Sequence, residues 1–292
     1  MLGTRELRHR IRTIENVERV VDAMEKISAA RLSREKARVL GSRPYVEALE
    51  RAVRDLATTD RPPNPLLRAN PSDNCLLIVV ASDKGLCGSY NSNIIHAAEK
   101  FAAEHRHHRL HLITAGRKLR KFLPRTGGQV LRESISIPEP PFNEYTDELA
   151  GMIMSYYLME QIGQAYLLYT GFRTLGANRP VLKRILPVEP VAERMPMNYF
   201  YFYEPGAGEV LERLLPQYVR LAIWEAFAEA TASEQAARMV MMEQASVNAR
   251  EMIGDLVLEA NKLRQAGITT ELLDIVGTSE ALTGRGRKGA AA

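Results

Sequence analysis

The residues best placed for chemistry form a glycine-bearing turn between an apolar run and a helical stretch. The run occupies residues 75–81, and the turn is residues 83–89 (DKGLCGS). Many α/β proteins bind phosphate at such a strand-to-helix turn. The glycine spacing, however, matches neither the Gly-x-x-x-x-Gly-Lys-Ser/Thr loop nor the dinucleotide pattern Gly-x-Gly-x-x-Gly. We therefore interpret the segment as a tight turn and expect no nucleotide cofactor.

Other reactive side chains do not form a recognisable site. Four histidines lie close together in the sequence, but no carboxylate or cysteine completes a ligand set, so a solvated helix end explains them better than a metal centre. They are His105, His107, His108 and His111. Cys75 and Cys87 lack metal-ligand spacing and are interpreted as small buried apolar residues in a reducing compartment. No nucleophile is paired with a base. The sequence thus predicts no catalytic residue and no bound metal.

Charge gives little information about partners. The formal net charge is +4, too small to require nucleic acid, and it suits acidic protein partners equally well. Residues 285–292 (RGRKGAAA) are interpreted as a flexible basic tail. No run of 18 apolar residues occurs, and the amino terminus leads directly into charged helix, so we expect no signal peptide or membrane span.

A heptad pattern in the last third of the chain predicts a long supercoiling helix. Its apolar seam is predicted at Met242, Ala245, Ala249, Met252, Leu256, Leu263, Ala266, Thr270 and Leu273. About 70 residues at 1.5 Å each would reach roughly 100 Å, and so long a helix needs a partner. Pro216 is expected to kink or break it near its start.

The partner is predicted at the amino terminus, where a second apolar stripe has helical spacing. The stripe consists of Leu7, Ile11, Ile14, Val17, Val21 and Met24. The fold class is therefore α/β with a long helical coiled coil, in which helices from both termini pair antiparallel around an inserted Rossmann-like α/β domain.

The middle of the chain alternates between strand and helix patterns, which indicates a parallel sheet. Strands are predicted at 75–81, 110–115, 165–172 and 181–187, with a further edge strand at 198–203. Helices are predicted at 91–104, 117–122 and 145–162. The organisation is then an amino-terminal helix (1–58), a proline-rich linker (59–72), an α/β domain (73–206), a carboxy-terminal helix (207–284) and the tail (285–292).

These patterns alone leave the function open. They suit a coiled-coil scaffold or tether with an α/β head, and they also suit a nucleotide-binding α/β enzyme with helical arms, although the latter lacks a phosphate loop.

Four segments, in order along the chain, resemble one family. Residues 261–276 (NKLRQAGITTELLDIV) resemble the carboxy-terminal signature of the γ subunit of rotary ATP synthases. Residues 233–239 (SEQAARM), 82–91 (SDKGLCGSYN) and 23–32 (AMEKISAARL) are similar to three earlier segments of that family. Lys26 departs from the methionine that the family often has, and Thr278-Ser279 departs from its Gly-Ala. The four segments together favour the family over the two alternatives.

The resemblance implies a non-catalytic rotor shaft. The shaft would turn inside a hexamer of alternating alpha and beta subunits, with its foot on a membrane ring of c subunits and the epsilon subunit alongside. It would reach the membrane only through these other subunits, on the cytoplasmic face of the inner (plasma) membrane.

The resemblance also implies roles for individual residues. Contact with the beta subunit is expected at Arg264, Gln265, Thr269 and Glu271. A coupling segment is expected at Met24, Glu25 and Ile27. The foot that meets the c-ring and epsilon is expected to include Tyr201, Tyr203 and Glu204.

Overall fold

The computed structural model describes residues 2–59, 64–122, 126–134, 140, 142–174, 179–189 and 203–288. Its helices are α1 (Leu2–Thr59), α2 (Tyr90–Glu104), α3 (Asn143–Leu158) and α4 (Ala207–Lys288). Its strands are β1 (Cys75–Val80), β2 (Leu110–Ala115), β3 (Gln129–Ser134), β4 (Gln164–Gly171) and β5 (Arg179–Leu186). Short 3₁₀ turns cover Pro65–Leu67 and Arg117–Lys121. None of the described helices is long and apolar enough to pass through a bilayer.

The five strands form one sheet in the order β3-β2-β1-β4-β5. β1, β2, β3 and β4 are parallel, and β5 pairs antiparallel with β4 at one edge. All six residues of β1 are buried, which explains why the strand is a continuous apolar run without alternation. The sheet therefore organises the fold around a fully covered central strand.

The two faces of β1 belong to different clusters of buried residues. Leu77 and Val79 pack with α2, in a cluster that includes Phe101. Leu76 and Ile78 face the other way, in a cluster that draws on α1, α3 and α4. Successive residues of a strand point to opposite faces, so β1 supplies both clusters at once.

The strand prediction was correct for β1, β2, β4 and β5 within two residues, but it missed β3. This strand lies at a sheet edge and reads QVLRES, with Val130 exposed, so it lacks the apolar run of a covered strand. The predicted helix at 117–122 is a 3₁₀ turn. The predicted edge strand at 198–203 falls mostly outside the described residues.

Of the kink or break predicted at Pro216, the break was wrong, because α4 runs from Ala207 to Lys288 with this proline inside it. A proline removes the hydrogen bond to the carbonyl four residues earlier, here that of Glu212. Glu212 is exposed, so water can satisfy that carbonyl. Leu215 and Val219, either side of the proline, are fully buried and hold the helix in place.

The chain divides into two compact units, residues 27–241 and residues 1–26 with 242–292. In the first unit, α1 and α4 are antiparallel. The Nζ atom of Lys183 on β5 lies 3.3 Å from a carboxylate oxygen of Glu50 and 3.1 Å from one of Glu225. Arg31, earlier in α1, interacts electrostatically with Glu234, later in α4. The predicted fold class is confirmed.

In the second unit, α4 contributes a heptad of side chains that are buried or half-buried. They are Met242, Ser246, Ala249, Ile253, Leu256 and Ala260. The prediction was correct at Met242, Ala249 and Leu256, and Ala245 is half-buried beside Ser246, but the prediction was wrong at Met252, which is 54% exposed. The seam needs alternating steps of four and three residues, and Ile253 fits that rhythm where Met252 does not.

The α1 side of this unit also differs from the prediction by one position. Val17 is 51% exposed, so its assignment to the seam was wrong. Glu18 is half-buried in its place, and Arg250 Nε donates a hydrogen bond to it at 2.9 Å. A second nitrogen of Arg250 lies 3.9 Å from Asp22. An interhelical ion pair therefore occupies a position at which an apolar contact was expected.

No side chain from 261 to 277 is buried, so the seam predicted at Leu263, Ala266, Thr270 and Leu273 was wrong for the isolated chain. The contact between Glu18 and Arg250 shows which positions of the two antiparallel helices are level with each other. In that register Leu2, the first residue of α1, comes level with about residue 266 of α4. The part of α4 after about residue 266 therefore has no α1 residue level with it.

The unit of residues 27–241 contains a buried carboxylate whose titration is coupled to folding. Glu229 accepts a hydrogen bond from the Phe172 N–H at 3.3 Å. Burial raises the pKa of Glu229 above its usual 4.5, and repulsion from Glu225 adds to the effect. The folded state therefore holds this proton more tightly than the unfolded state, so the stability that the carboxyl contributes is present at low pH and is lost as the pH rises from 4.5 through the folded pKa.

Replacing Glu229 by Gln should keep the acceptor for Phe172 and remove the buried charge. We expect Glu229→Gln to raise the free energy of unfolding at pH 7 and to flatten its decline above pH 4.5. Urea unfolding at several pH values measures both effects. Glu212→Gln on the exposed face of α4 is the control and should change stability by about 0.5 kcal/mol or less. A steeper decline in Glu229→Gln would contradict the assignment.

Candidate functional site

The glycine turn after β1 is held by the side chains of Ser82 and Asn91, which flank it. The Ser82 hydroxyl lies 2.6 Å from the Lys84 carbonyl, and the Ser82 N–H donates to Asn91 Oδ1 at 3.1 Å. Leu86 and Gly88 have φ values of 63° and 57°, in the left-handed region. Two residues in that region turn the chain sharply from β1 into α2.

A buried ion pair on α4 packs against this turn. Arg238 and Glu234 are one helical turn apart, and a guanidinium nitrogen lies 2.6 Å from a carboxylate oxygen. The same guanidinium donates to the Gly85 carbonyl at 3.3 Å. Burial raises the pKa of Glu234, and the positive charge of Arg238 opposes that rise. The pair is almost completely enclosed, with side chains 7% and 10% exposed.

Two more contacts join the turn to α4. The Tyr90 hydroxyl, at the start of α2, donates to the Ala230 carbonyl at 3.1 Å. A Cβ added at Gly88 would lie 3.0 Å from the sulfur of Met241. Together with Arg238, these contacts hold residues 82–91 against residues 230–241, so two of the four segments that carried the family resemblance are neighbours. We call this contact surface the junction.

The junction is built differently from a phosphate loop. At a phosphate loop, backbone N–H groups point at the anion. Here the Lys84 and Gly85 carbonyls point at the Arg238 guanidinium, which already pairs with Glu234. This geometry agrees with the interpretation of the segment as a tight turn. The junction therefore has a structural role, because it attaches the end of β1 to α4.

The cysteines and histidines are not arranged as a reactive centre in the described part of the chain. Burial raises the pKa of Cys75 to about 12, and it also raises that of Cys87. A thiol with a raised pKa is a poor nucleophile. Among the described residues, no group of three or more His, Cys, Asp or Glu is placed to hold a metal ion.

The four residues assigned to the beta subunit lie on the exposed end of α4. Arg264, Gln265, Thr269 and Glu271 are all exposed, and the Thr269 hydroxyl donates to the Gln265 carbonyl at 3.0 Å. Exposure does not distinguish them, because every side chain from 261 to 277 is exposed. The structure thus leaves these side chains accessible to another subunit.

The coupling segment on α1 is partly accessible. Met24 and Glu25 are half-buried, and Ile27 is 56% exposed. Lys26, which departs from the family's usual methionine, pairs with Asp22 on the same helix at 2.7 Å. Its charge is therefore satisfied at the helix surface.

Of the three foot residues, Tyr201 lies outside the described residues. Tyr203 is half-buried and packs against the main cluster of buried residues. Glu204 is exposed and precedes Pro205, just before α4 begins. Of the two foot residues that the structure describes, Glu204 is therefore the more accessible to another subunit.

Sequence reasoning did not assign roles to the junction residues Tyr90, Glu234 and Arg238. One signal was available, since Glu234 and Arg238 are opposite charges four residues apart within an alanine-rich stretch. Small neighbours allow close packing, and charges between them need partners. Tyr90 gave no comparable signal, because its partner is a backbone carbonyl 140 residues away.

Comparison with known proteins shows which family the chain belongs to. A family model described as ATP synthase matches residues 3–282. The ATP synthase gamma chain of Geobacter metallireducens is 37% identical over 295 residues, covering 97% of this chain and 100% of that protein. The chain belongs to the ATP synthase gamma chain family. The gamma chain of Desulfitobacterium hafniense is 34% identical, with the same coverage.

Solved structures share the fold of this gamma chain family member. One is described as the Euglena gracilis mitochondrial ATP synthase, OSCP/F1/c-ring, rotational state 3. It matches with a TM-score of 0.67 and 17% identity, covering 99% of this chain and 96% of that one. Another is the central stalk and c-ring of the Tetrahymena thermophila mitochondrial ATP synthase, with a TM-score of 0.59 and 21% identity, covering 78% of this chain and 99% of that one.

Removing one partner of the junction ion pair should lower the free energy of unfolding. In Arg238→Met the Glu234 carboxylate loses its partner while still buried, and we expect a loss of about 3–5 kcal/mol in the free energy of unfolding. The double variant Arg238→Met with Glu234→Gln should recover part of that loss, because no buried charge remains unpaired. Urea unfolding measures all three proteins. Equal losses in the single and double variants would contradict a paired, buried charge.

The turn offers a matched pair of glycine substitutions. Gly88→Ala places a side chain at a φ of 57° and should cost about 1 to 2 kcal/mol of unfolding free energy. Gly151→Ala, inside α3 with nothing within 4 Å of the added carbon, should gain about 0.5–1 kcal/mol. Thermal or urea unfolding compares them. A stabilising Gly88→Ala would show that the left-handed turn is not required.

Proposed function

We propose that this chain is the central rotor shaft of a rotary F-type ATP synthase. It couples ion flow through a membrane ring of c subunits to ATP synthesis or hydrolysis in a hexamer of alpha and beta subunits. Membership of the gamma chain family supports this proposal. The structural observation that carries it is the end of α4, where every side chain from 261 to 277 is exposed.

Large apolar side chains lie along this end of α4 and are 43–66% exposed. They are Leu263, Ile268, Leu272, Leu273, Ile275 and Val276. Exposed apolar surface of this extent is typical of a protein interaction site. Because the side chains point in several directions around the helix, a surrounding sleeve suits them better than a single flat partner. A ring of alpha and beta subunits provides such a sleeve.

The shaft acts by presenting different surfaces to identical sites. One asymmetric helix inside a three-fold ring makes a different set of contacts with each catalytic subunit. Each set favours one conformation of that subunit, because a contact shifts an equilibrium only by its differential binding energy. Rotation passes these contacts from one subunit to the next. The shaft itself contributes no catalytic group, and ATP turnover belongs to the hexamer.

Arg264 and Gln265 are the proposed contact with a beta subunit, with Thr269 and Glu271 further along the helix. A planar guanidinium can hold a carboxylate by two parallel hydrogen bonds, and this hold depends on direction. It forms at one rotational position and breaks at the next. The family resemblance singles out these four residues, and their exposure leaves them accessible to the beta subunit.

Further along the shaft, Met24, Glu25 and Ile27 form the proposed coupling segment. Tyr201, Tyr203 and Glu204 are the proposed foot that meets the c-ring and epsilon, where aromatic area and one exposed carboxylate would serve an interface.

The layout proposed for this role is an α/β domain at 73–206 inserted between helices at 1–58 and 207–284, with a linker at 59–72 and a tail at 285–292. The chain would reach the cytoplasmic face of the plasma membrane only through other subunits.

The proposed beta-subunit contact predicts a separation of folding from function. We expect Arg264→Ala with Gln265→Ala to leave the free energy of unfolding within about 0.5 kcal/mol of the parent, because both side chains are exposed. The reconstituted complex should nevertheless assemble more weakly or rotate more slowly under load. Subunit binding and single-molecule rotation measure these effects.

Arg213→Ala with Gln217→Ala is the matched control. It removes the same two side-chain types from exposed positions at the other end of α4 and should leave binding of the alpha and beta subunits unchanged. If the tip variant assembled and rotated like the parent, Arg264 and Gln265 would be ordinary surface residues.

A further inference from the structure

A cavity of about 410 Å³ lies where α2 ends and β2 begins, away from the junction. Its lining includes Arg106, Arg109 and three histidines, and no carboxylate occurs among the lining residues that the structure describes. A volume in this range, about 300–1,000 Å³, is common for small-molecule sites. The charged side chains of the lining are thus all cationic, which predicts an anionic ligand.

In the described part of the chain, the guanidinium groups of Arg106 and Arg109 are not paired with a carboxylate. Arg106 and Arg109 are exposed, and across the described residues neither lies within 4.0 Å of a carboxylate oxygen. Two other arginines near the sheet behave differently, since Arg120 pairs with Glu133 at 2.8 Å and Arg132 pairs with Glu148 at 2.8 Å. Arg106 and Arg109 therefore remain available to an anion from solution.

Backbone carbonyls orient two of the histidines. His105 Nδ1 lies 2.9 Å from the Phe101 carbonyl, and His108 Nδ1 lies 2.7 Å from the Asp73 carbonyl. A carbonyl oxygen only accepts, so each Nδ1 carries a hydrogen. The His105 ring also stacks on Phe101, with ring centroids 3.9 Å apart. Both rings are held in place, and each has Nε2 left for another partner.

The third histidine is set apart from the other two. His111 Nδ1 is enclosed and has no hydrogen-bond partner among the described residues. Because side chains alternate along β2, His111 points to the face opposite Leu110 and Leu112, which pack with α2, so its Nδ1 is not counted among the ligand contacts. A metal ion is a poor candidate for the cavity, because two cationic side chains line it and would repel the ion.

We propose that this cavity binds a phosphate-type oxyanion. Guanidinium groups match the tetrahedral oxygens of phosphate by forked hydrogen bonds, and the oriented histidines add hydrogen-bonding nitrogens around the same space. The cavity is larger than one phosphate ion. The ligand is therefore either free phosphate with water or the phosphate group of a small phosphorylated molecule.

Isothermal titration of the purified full chain with inorganic phosphate, at constant ionic strength, tests the site. Arg106→Gln with Arg109→Gln should weaken binding at least about tenfold, because each hydrogen bond to a charged group contributes on that order. Arg117→Gln with Arg213→Gln removes the same charge from exposed positions outside the cavity and should change the affinity by less than about threefold. Far-ultraviolet circular dichroism checks that each variant is folded.

Titration with glycerol phosphate distinguishes the two sources. Tighter binding of glycerol phosphate than of inorganic phosphate would assign the site to a phosphorylated small molecule, and equal binding would assign it to free phosphate. Both results support an oxyanion site. No binding of either ligand at millimolar concentration, or an equal loss of affinity in the cavity and control variants, would overturn the proposal.

Discussion

The attachment of the sheet to the long helix depends on one buried ion pair. Arg238 satisfies the Glu234 carboxylate and also the Gly85 carbonyl of the turn, so one guanidinium serves two elements. Buried charges are stable only when their hydrogen-bonding capacity is filled by partners with good geometry. The turn supplies that geometry because Leu86 and Gly88 adopt left-handed conformations. A shift of the turn would leave the pair short of a partner, which makes the contact directional as well as strong.

A second polar cluster complements this attachment within the same unit. Lys183 on the edge strand contacts Glu50 of α1 and Glu225 of α4. Burial alone would lower the pKa of this lysine, but the two glutamates and Tyr218 raise it instead. The ammonium group therefore stays charged and links three elements. Apolar packing supplies much of the stability here, whereas these charges specify how the helices are oriented against the sheet.

Sequence reasoning succeeded where one physical signal dominates. The continuous apolar run of β1 predicted a covered strand, and the heptad rhythm predicted paired terminal helices. It failed where tertiary context decides. β3 is a polar edge strand, and Met252 and Ile253 are adjacent apolar residues of which only one faces the seam. Pro216 was expected to kink or break α4, but the helix continues through it between buried neighbours.

The candidate site was predictable only in part. The turn after β1 could be located from its glycines, and the family resemblance located the end of α4. The partner of the turn could not be found, because Tyr90 and Gly85 contact residues about 140 and 153 positions away. Local patterns carry no information on contacts at such separations. The interhelical pair between Arg250 and Glu18 was missed for the same reason.

Rotation of a probe attached to the sheet tests the central claim most directly. Lys100 on α2 is highly exposed, whereas Cys75 and Cys87 are both buried, so Lys100→Cys allows selective labelling. With the alpha and beta subunits fixed to a surface, a bead on this cysteine should rotate in one direction when ATP is added, with pauses at three angles. A bead that stays still while the complex hydrolyses ATP would contradict the assignment of this chain as the shaft.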